Sequence, residues 1–283
     1  VQYMELPRMA ALGEIAWTDP EKKDLNSFVR RLPQLIEIYR NNGWRYASHI
    51  FDVQGTVTPD IEAGSLTIAL STYDNSPIRY TLDGSEPTSA SPLYSEPIVL
   101  DKPATVLAAA EREGALGAIY RAGISFSKAT FKPVELQPAP HPRYEFDGGR
   151  QLTDGVTGTS GYASGEWLGF TTPEVKATID LGKAQSIEEV RFRDNVDTGA
   201  WIFGATGARV EVSTDGKNFT EVASENYPEI TSHLTKVFER TLKFEPAEAR
   251  FVRLTVNTQS AMPQWHPGSG KQAFIFIDEI GIN

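Results

Sequence analysis

The chain has 283 residues, of which 40% are hydrophobic and 10% aromatic, so it can build more than one packed core and does not have the composition of a disordered protein. Its formal net charge of −10 argues against nucleic acid as a partner, because phosphate binding requires a basic surface. The sequence has no cysteine, which excludes disulfides, thiolate catalysis and cysteine-bound zinc. No apolar run approaches the roughly 20 residues that a membrane-spanning helix needs.

The first segment, residues 1–49, has the apolar spacing of helices. Apolar residues recur on one helical face over residues 3–16, and Pro20 then interrupts the pattern. A second helix is predicted over residues 24–41, and Gly43 follows it as a residue that tolerates the left-handed conformation of a helix end. Two amphipathic helices cannot bury both apolar faces by themselves, so we expect them to pack on something upstream.

Within this segment, residues 8–18 read RMAALGEIAWT and are followed by a charged stretch and a helix. This run resembles the last helix of the catalytic (β/α)8 barrel in glycoside hydrolase family 20, the β-N-acetylhexosaminidases. An unrelated amphipathic helix pair is the alternative. The resemblance implies that residues 1–49 are a helical remnant of the barrel end and that the upstream catalytic barrel of the same polypeptide is a partner.

The resemblance also implies a mechanism that this chain does not carry. That family uses an adjacent Asp-Glu pair, in which the Glu protonates the leaving oxygen and the Asp orients the acetamido group of the substrate. The only such pair here, Asp278-Glu279, falls in a terminal strand, away from any barrel. We therefore expect a parent glycosidase that removes terminal N-acetylhexosamine, and a chain that has no catalytic residue and is inactive alone.

The second segment, residues 50–130, has short alternating runs of the kind found in small β-sandwiches. Strands are predicted at residues 65–70, 78–82, 97–100 and 104–109. Residues 80–88 read YTLDGSEPT, which resembles the signature of the fibronectin-III-like domain that follows hexosaminidase catalytic domains. Asp83 and Glu86 are either ligand contacts or parts of a turn, and turn chemistry accounts for every residue of the run. The segment is interpreted as a spacer.

The stretch over residues 131–143 is rich in proline, which excludes a helix or a central strand. We interpret it as a fairly stiff, extended linker between domains.

The third segment, residues 144–283, is predicted to be a jelly roll. Strands are predicted at residues 177–181, 189–192, 208–213, 251–256 and 275–277. Its motifs LTDG at 152–155, IDLG at 179–182, VEVSTDGKNF at 210–219, ARFVRL at 249–254 and IDEI at 277–280, with Trp167, resemble the discoidin-like domain. That domain, the factor V/VIII type C type, overlaps the family 32 carbohydrate-binding modules. The predicted fold class is therefore mainly β, with two β-sandwiches, fibronectin-III-like and then discoidin-like, preceded by a short α-helical barrel remnant.

The resemblance implies one structural Ca²⁺ between the loop after Leu152 and the last strand. Calcium takes six to eight oxygens from carboxylates, hydroxyls and carbonyls. The ligands carried over are the side chains of Asp154, Thr159 and Glu279 and the main-chain oxygens of Gln151, Val156 and Asp278. The alternative is that Asp154 and Glu279 are turn and surface carboxylates.

Two loops, at residues 194–201 and 262–270, combine a tryptophan with polar residues, as a sugar site requires. The candidate carbohydrate-binding residues are Asp197, Trp201, Trp265 and His266. Trp265 and His266 lie on a loop rich in Pro and Gly and are hard to explain as core, whereas Trp201 fits a core or a site equally well. Trp167 is predicted to be core and His233 to lie on the surface. No nucleophile or metal cluster accompanies His266, so it is not predicted to be a catalytic base.

Together these features favour the non-catalytic C-terminal part of a bacterial, secreted β-N-acetylhexosaminidase. The expected ligands are glycans containing N-acetylhexosamine or galactose-type sugars, and the expected location is the periplasm, the cell surface or the medium. The alternative is a discoidin-like domain that binds protein or only buttresses the barrel, without affinity for sugar.

Overall fold

The computed structural model describes residues 1–159, 161–259 and 261–283. The chain is mostly β, as predicted, with a short helical part at its start. It forms two compact units, the first made of Val1–Val57, Ile68–Ile98 and Thr105–Arg121, the second of Thr58–Thr67, Val99–Ala104 and Ala122–Asn283. Among the described residues, no helix has the length and apolar character needed to cross a membrane.

The helices of the first unit are α1 (Gln2–Glu5), α2 (Arg8–Trp17) and α3 (Leu25–Asn41). The prediction of one continuous helix over residues 3–16 is wrong at Pro7, which lacks the N–H that would continue α1. Helix α3 begins where predicted, because the side chain of Asp24 accepts a hydrogen bond from the Asn26 amide at 2.9 Å. Gly43 has a φ of +66° just after the helix end.

The two longer helices differ in what they bury. Helix α3 buries the apolar side chains Val29, Leu32, Ile36 and Tyr39. No residue of α2 is buried, and its large apolar side chains Met9, Leu12, Ile15 and Trp17 are exposed. The apolar face of α2 thus has no cover within the described residues.

The middle of the chain folds into short strands, four of them where predicted. They are β1 (Gln54–Asp60), β2 (Ser65–Ser71), β3 (Ile78–Thr81), β4 (Ile98–Leu100), β5 (Ala104–Arg112), β6 (Ala115–Leu116) and β7 (Tyr120–Ile124). In the first unit, β3 and β6 each pair antiparallel with β5. Asp83 accepts hydrogen bonds from both the amide and the hydroxyl of Ser85, so its carboxylate is used in the turn.

The second unit contains a seven-stranded sheet with the order β10-β15-β11-β14-β12-β13 and with β8 beside β11. The strands after β7 are β8 (Val134–Gln137), β9 (Val156–Thr157), β10 (Leu168–Phe170), β11 (Glu174–Asp197), β12 (Ala205–Ser213), β13 (Thr220–Asn226), β14 (Thr235–Thr258) and β15 (Ile275–Ile282). Trp167 is fully buried, as predicted.

Strand β11 merges two predicted strands into one of 24 residues. Its first half pairs with β8 and its second half with β15, while β14 follows it along most of its length. Irregularities between Asp180 and Gln185 and between Ile187 and Glu189 let the strand bend, and Gly182 has a φ of +83° at the first of them. The strand therefore passes through both halves of the sheet and ends at Asp197, in the first candidate loop.

The segment 131–143 is not only a connector, because it contains β8. Val134 to Gln137 pair antiparallel with Ile179 to Lys176 of β11. Pro133 and Pro138 flank this strand, so that none of its four residues lacks the N–H that a sheet requires.

Candidate functional site

The loop after β11 holds Trp201 in an unusual conformation. The Asp197 carboxylate accepts a hydrogen bond from the Ala200 amide at 3.3 Å and closes a short helical turn over residues 198–200. Trp201 then has a φ of +69°, which is uncommon for a residue other than glycine. Its side chain is 40% exposed. The strained left-handed backbone at Trp201 turns its side chain outward. Strained backbone of this kind clusters at binding sites and active sites.

His266, in the second loop, was predicted to contact sugar, but its side chain is only 3% exposed. Its Nδ1 accepts a hydrogen bond from the Gly268 amide at 3.0 Å, so Nε2 carries the proton and donates it to the Thr198 carbonyl at 2.8 Å. Both ring nitrogens are therefore used inside the protein. His266 ties the two candidate loops together and leaves no polar ring atom for a ligand, which corrects the prediction.

Trp265 is half-buried and is anchored on a third loop. Its Nε1 donates a hydrogen bond to the Ile230 carbonyl at 3.0 Å. Its ring centroid lies 5.2 Å from that of His233, which is exposed as predicted, and 5.5 Å from that of His266. Trp265 thus offers part of its ring to solvent in a fixed orientation.

Lys271 was not among the predicted site residues, yet its Nζ lies 5.1 Å from the centre of the Trp201 ring. Its side chain is exposed, and it makes no ion pair with any carboxylate in the described part of the chain. The sequence signal for it was weak, since a lysine just after a glycine-rich loop is common. We call the surface made by residues 197–201 and 262–271 the Trp201 end.

The Trp201 end combines three kinds of group. The Trp201 ring supplies a flat apolar face, supported at its edge by His266, whose centroid is 6.3 Å away. Lys271 supplies hydrogen-bond donors and Asp197 a carboxylate. An aromatic face bordered by polar groups is the arrangement that receives the C–H side of a sugar ring together with its hydroxyls.

A second cluster of site residues lies at the loop after Leu152 and β15. We call Asp154, Asp278 and Glu279 the carboxylate clasp. The Glu279 Oε2 atom accepts a hydrogen bond from the Gly155 amide at 3.1 Å, and the Asp278 Oδ2 atom accepts one from the Gly158 amide at 2.5 Å. Asp278 is fully buried and Glu279 is 4% exposed, so the alternative of a surface carboxylate at Glu279 is wrong.

Burial disfavours the charged form of the three carboxyl groups of the clasp. It raises the pKa of Asp154 to about 7 and that of Asp278 to about 8, and it raises the pKa of Glu279 well above its usual range. Mutual repulsion among the three groups adds to the effect. Arg193, which sequence reasoning missed, donates a hydrogen bond from Nη1 to Asp278 Oδ2 at 2.8 Å and is the one cation paired with the clasp among the described residues.

The clasp partly fits the calcium ion that the family resemblance implied. Asp278 Oδ1 and Glu279 Oε1 are buried without a hydrogen-bond partner among the described residues. When ionised, the three carboxyl groups facing one guanidinium would carry a negative charge that a divalent cation could balance. The described His, Cys, Asp and Glu side chains nevertheless do not converge into a ready metal-binding group of three or more. The residue types are those that Ca²⁺ binds, but the Asp278 and Glu279 side chains accept hydrogen bonds from backbone amides and the three carboxyl groups do not converge on one point.

The other predicted ligands are engaged in the same region. The buried Gln151 side chain donates a hydrogen bond to the Gly165 carbonyl. The main-chain oxygen of Thr159 accepts from Trp167 Nε1 at 2.8 Å, and the Val156 amide donates to Asp154 Oδ1 at 2.8 Å. These contacts lie in the loop after Leu152, but Thr159 is exposed and the predicted ligand set stays a prediction.

Two family profiles match this chain. Residues 140–273 match the profile described as "F5/8 type C domain", and residues 67–122 match "Fn3 associated". The second half of the chain is thus similar to F5/8 type C domains. The matched range includes the Trp201 end and Asp154, whereas Asp278 and Glu279 of the carboxylate clasp lie beyond its last residue.

The chain is also similar to a named enzyme. A "Beta-hexosaminidase" of Porphyromonas gingivalis is 28% identical over 195 residues, which is 66% of this chain and 22% of the enzyme. The chain therefore spans about a fifth, 22%, of the length of the curated relative it matches. Together with the two profiles, this match agrees with the resemblance to the C-terminal region of a hexosaminidase.

Solved structures similar to the chain cover a little over half of it. Chitosan-binding module 1 of a chitosanase/glucanase from Paenibacillus sp. IK-5 is 14% identical, with a TM-score of 0.37 over 56% of this chain and 98% of that chain. CpGH89CBM32-5 of Clostridium perfringens, in complex with GalNAc-beta-1,3-galactose, is 19% identical, with a TM-score of 0.33 over 53% of this chain and 94% of that chain.

Proposed function

We propose that the F5/8 type C domain binds glycans at the Trp201 end. The observation that carries the proposal is the exposed Trp201 ring, held outward in a left-handed conformation. Lys271, which has no carboxylate partner among the described residues, places its Nζ over this ring. A solvent-facing tryptophan whose backbone is fixed in this way pre-organises a stacking surface at little entropic cost on binding.

Each residue of the Trp201 end has a distinct role in this proposal. Trp201 stacks on the apolar face of a sugar ring, and Trp265 flanks it. Lys271 and Asp197 bond to hydroxyl or acetamido groups. His266 positions both loops without touching the ligand. The proposed ligands are glycans containing N-acetylhexosamine or galactose-type sugars.

We propose further that the whole protein is a β-N-acetylhexosaminidase acting in the periplasm or outside the cell. The similarity to the Porphyromonas gingivalis enzyme supports the proposal. The uncovered apolar face of α2, with Trp17 92% exposed, supports its packing on a catalytic barrel of the same polypeptide. A glycan-binding domain on such an enzyme raises the local concentration of polymeric substrate even when its own affinity is weak.

This part of the protein is proposed to be non-catalytic. Its Asp278-Glu279 pair resembles the catalytic pair of the family in sequence only, because both side chains are buried and bonded to the loop after Leu152. A general acid must reach the glycosidic oxygen of a bound substrate, and these carboxyl groups have no path to one.

For the carboxylate clasp we propose a structural role with Ca²⁺. Asp154 and Glu279 would supply side-chain oxygens, with Thr159, and Gln151, Val156 and Asp278 main-chain oxygens. Glu279 Oε1, which is buried without a hydrogen-bond partner among the described residues, supports a cation there, since such an atom is costly to bury. The ion would neutralise the clasp and join the loop to the last strand.

The test of glycan binding compares two exposed tryptophans. Trp201→Ala should lower affinity for glycans found on an array of N-acetylhexosamine and galactose oligosaccharides by roughly tenfold or more, because the stacking surface is lost. Trp17→Ala, on α2, is the matched control and should bind as the unchanged chain does. If no glycan binds, or both variants bind equally well, a protein-binding or purely buttressing domain replaces the proposal.

A further inference from the structure

A cleft of about 290 Å³ lies on the outer face of the seven-stranded sheet, with no residue in common with the Trp201 end. Side chains of β8, β11 and β14 line it, and the turn after β12 folds over it. Burial alternates along β11, so that Lys176 and Thr178 face outward while Ala177 and Ile179 face the core. The outward set in β14 includes Arg253.

The guanidinium of Arg253 is fixed at the centre of this cleft. Its carbon lies 3.6 Å from the centre of the Phe219 ring, and its Nε donates to Thr178 Oγ1 at 3.4 Å. A stacked guanidinium loses little further freedom when it binds, and its two terminal nitrogens form a planar fork that matches an oxyanion.

Arg253 has no acidic partner among the residues that the structure describes. Glu211 lies directly opposite it in the register of β12 and β14. The Glu211 carboxylate turns to Arg209 instead, with a distance of 3.6 Å between Nε and Oε2. Glu211, the acid nearest to Arg253 in the strand register, is therefore already paired with Arg209. The charged guanidinium of Arg253 faces the cleft.

The remaining lining groups are polar. Gln137 is exposed on β8, and Lys176 adds a second cation, paired with Glu174 at 2.8 Å. Glu135 lies at the same cleft and opposes an anion. The Arg253 guanidinium is therefore surrounded by an amide, a hydroxyl and a second cation. This set of groups suits a sugar ring with hydroxyls and a negative charge better than it suits a bare ion.

We propose that this cleft is a second binding site, specific for the oxyanion of an acidic glycan, either a carboxylate or a sulfate, with Arg253 as its main contact. Lys176 and Thr178 complete the donor set around the anion. The site is independent of the proposed sugar contact at Trp201, so either can fail without the other.

The test measures binding of the full chain to tetragalacturonate, to the same tetrasaccharide with its carboxyl groups reduced, and to a sulfated galacto-oligosaccharide, by calorimetry at low and physiological salt. We expect one or both charged sugars to bind and the reduced one not to. Uronate binding alone identifies the carboxylate and sulfate binding alone the sulfate. Equal binding of charged and reduced sugars, no binding of any, or tighter binding of an Asp- and Glu-rich peptide overturns the proposal.

Variants locate the site. Arg253→Gln should weaken binding by about tenfold or more, and Arg253→Lys by less, because lysine keeps the charge but not the fork. Glu135→Gln should strengthen it by roughly two- to fivefold. Arg209→Gln removes the same charge from the same sheet face, where it is already paired, and is the control. Equal losses of affinity in Arg253→Gln and Arg209→Gln contradict the assignment. Binding that is unchanged in both Trp201→Ala and Arg253→Gln also contradicts it. Thermal melting shows that each variant is folded.

Discussion

His266 contributes to the Trp201 end through its position between the loops. Its hydrogen bonds reach the Thr198 carbonyl in one direction and the Gly268 amide in the other. Because the ring is almost wholly buried, removal of the side chain leaves two backbone groups without a partner, and such groups are expensive to bury. The histidine therefore determines where Trp201 is held.

We expect His266→Ala to lower the free energy of unfolding by about 1–3 kcal/mol, from the two lost hydrogen bonds and the space left behind. Denaturant unfolding measures this change. His233→Ala is the control, since His233 is exposed and its substitution should cost less than about 0.5 kcal/mol. Equal stability of the two variants would show that His266 is not a structural link.

At the scale of single residues, the sequence correctly assigned Trp167 to the core. The sugar site that it predicted in the two tryptophan-bearing loops stays a prediction. The sequence could not show that His266 packs edge-to-face with Trp201, because that depends on how one loop packs on another 65 residues away. For the same reason Lys271 and Arg193, whose partners are remote in the chain, were missed.

At the scale of elements, hydrogen bonds join the loop after Leu152 to strand β15. The Gly155 amide donates to the Glu279 carboxylate and the Gly158 amide to the Asp278 carboxylate. The members of the first pair are 124 residues apart in the chain. Gly158 leaves no room for a side chain, since a Cβ there would lie 2.4 Å from Trp167 Nε1. These hydrogen bonds join the loop to the last strand, and the proposed ion would join them further.

Chelation should therefore lower the melting temperature of the second unit by several degrees, because a ligand that binds only the folded state stabilises it. Differential scanning calorimetry with EDTA, followed by added Ca²⁺ or Mg²⁺, measures the effect. Glu279→Gln should abolish the response to calcium. An unchanged melting temperature in EDTA, in a chain shown to be initially loaded with calcium, would contradict the proposed ion.

The turn between β2 and β3 is joined to the end of β5 by an ion pair. Arg112 donates from Nε and Nη2 to the two carboxylate oxygens of Asp74 at 2.7 and 2.8 Å. These hydrogen bonds hold the pKa of Asp74 well below its usual range. A depressed carboxyl pKa stabilises the fold above the unfolded pKa of about 3.9, and this contribution is lost as the pH falls towards the folded value.

Asp74→Asn should consequently cost about 1–2 kcal/mol of stability near neutral pH, and the difference from the unchanged chain should shrink as the pH falls below about 4. Urea unfolding across this pH range measures it. Asp19→Asn, whose ion pair with Lys22 is exposed and 3.9 Å long, should change stability by less than about 0.5 kcal/mol. A difference that stays constant down to the acid limit would contradict the role of the ion pair.

The strands were predictable where they are short and bounded by turns, as in β2 to β5. Strand β11 was not, because its central residues Gly182 to Ser186 have the composition of a turn. Gly182 to Ala184 lie in the irregularity where β14 does not pair with β11, and the pairing resumes at Gln185 and Ser186, opposite Ala249 and Glu248. This continuation depends on a neighbouring strand, which local propensity does not contain. Likewise β8 is a strand only because β11 pairs with it.

For the whole molecule, composition and charge limited the partners but did not identify them. The net charge of −10 remains an argument against nucleic acid. Lys271 and Arg253, which have no acidic partner in the described part of the chain, show that the local charge differs from the average. The β fold and the F5/8 type C domain were both predicted from motifs. The activity of the whole protein remains a proposal, because this chain spans 22% of its enzyme relative.

Glycan binding at the Trp201 end is tested most directly by the indole N–H signals of the five tryptophans in a ¹⁵N-correlated NMR titration with an N-acetylhexosamine or galactose oligosaccharide that the chain binds. The proposed function predicts that the Trp201 signal shifts most and that of Trp265 less. The signals of Trp17, Trp44 and Trp167 should remain in place. Shifts confined to Trp17 or Trp44, or a saturated titration that leaves Trp201 unmoved, would contradict it.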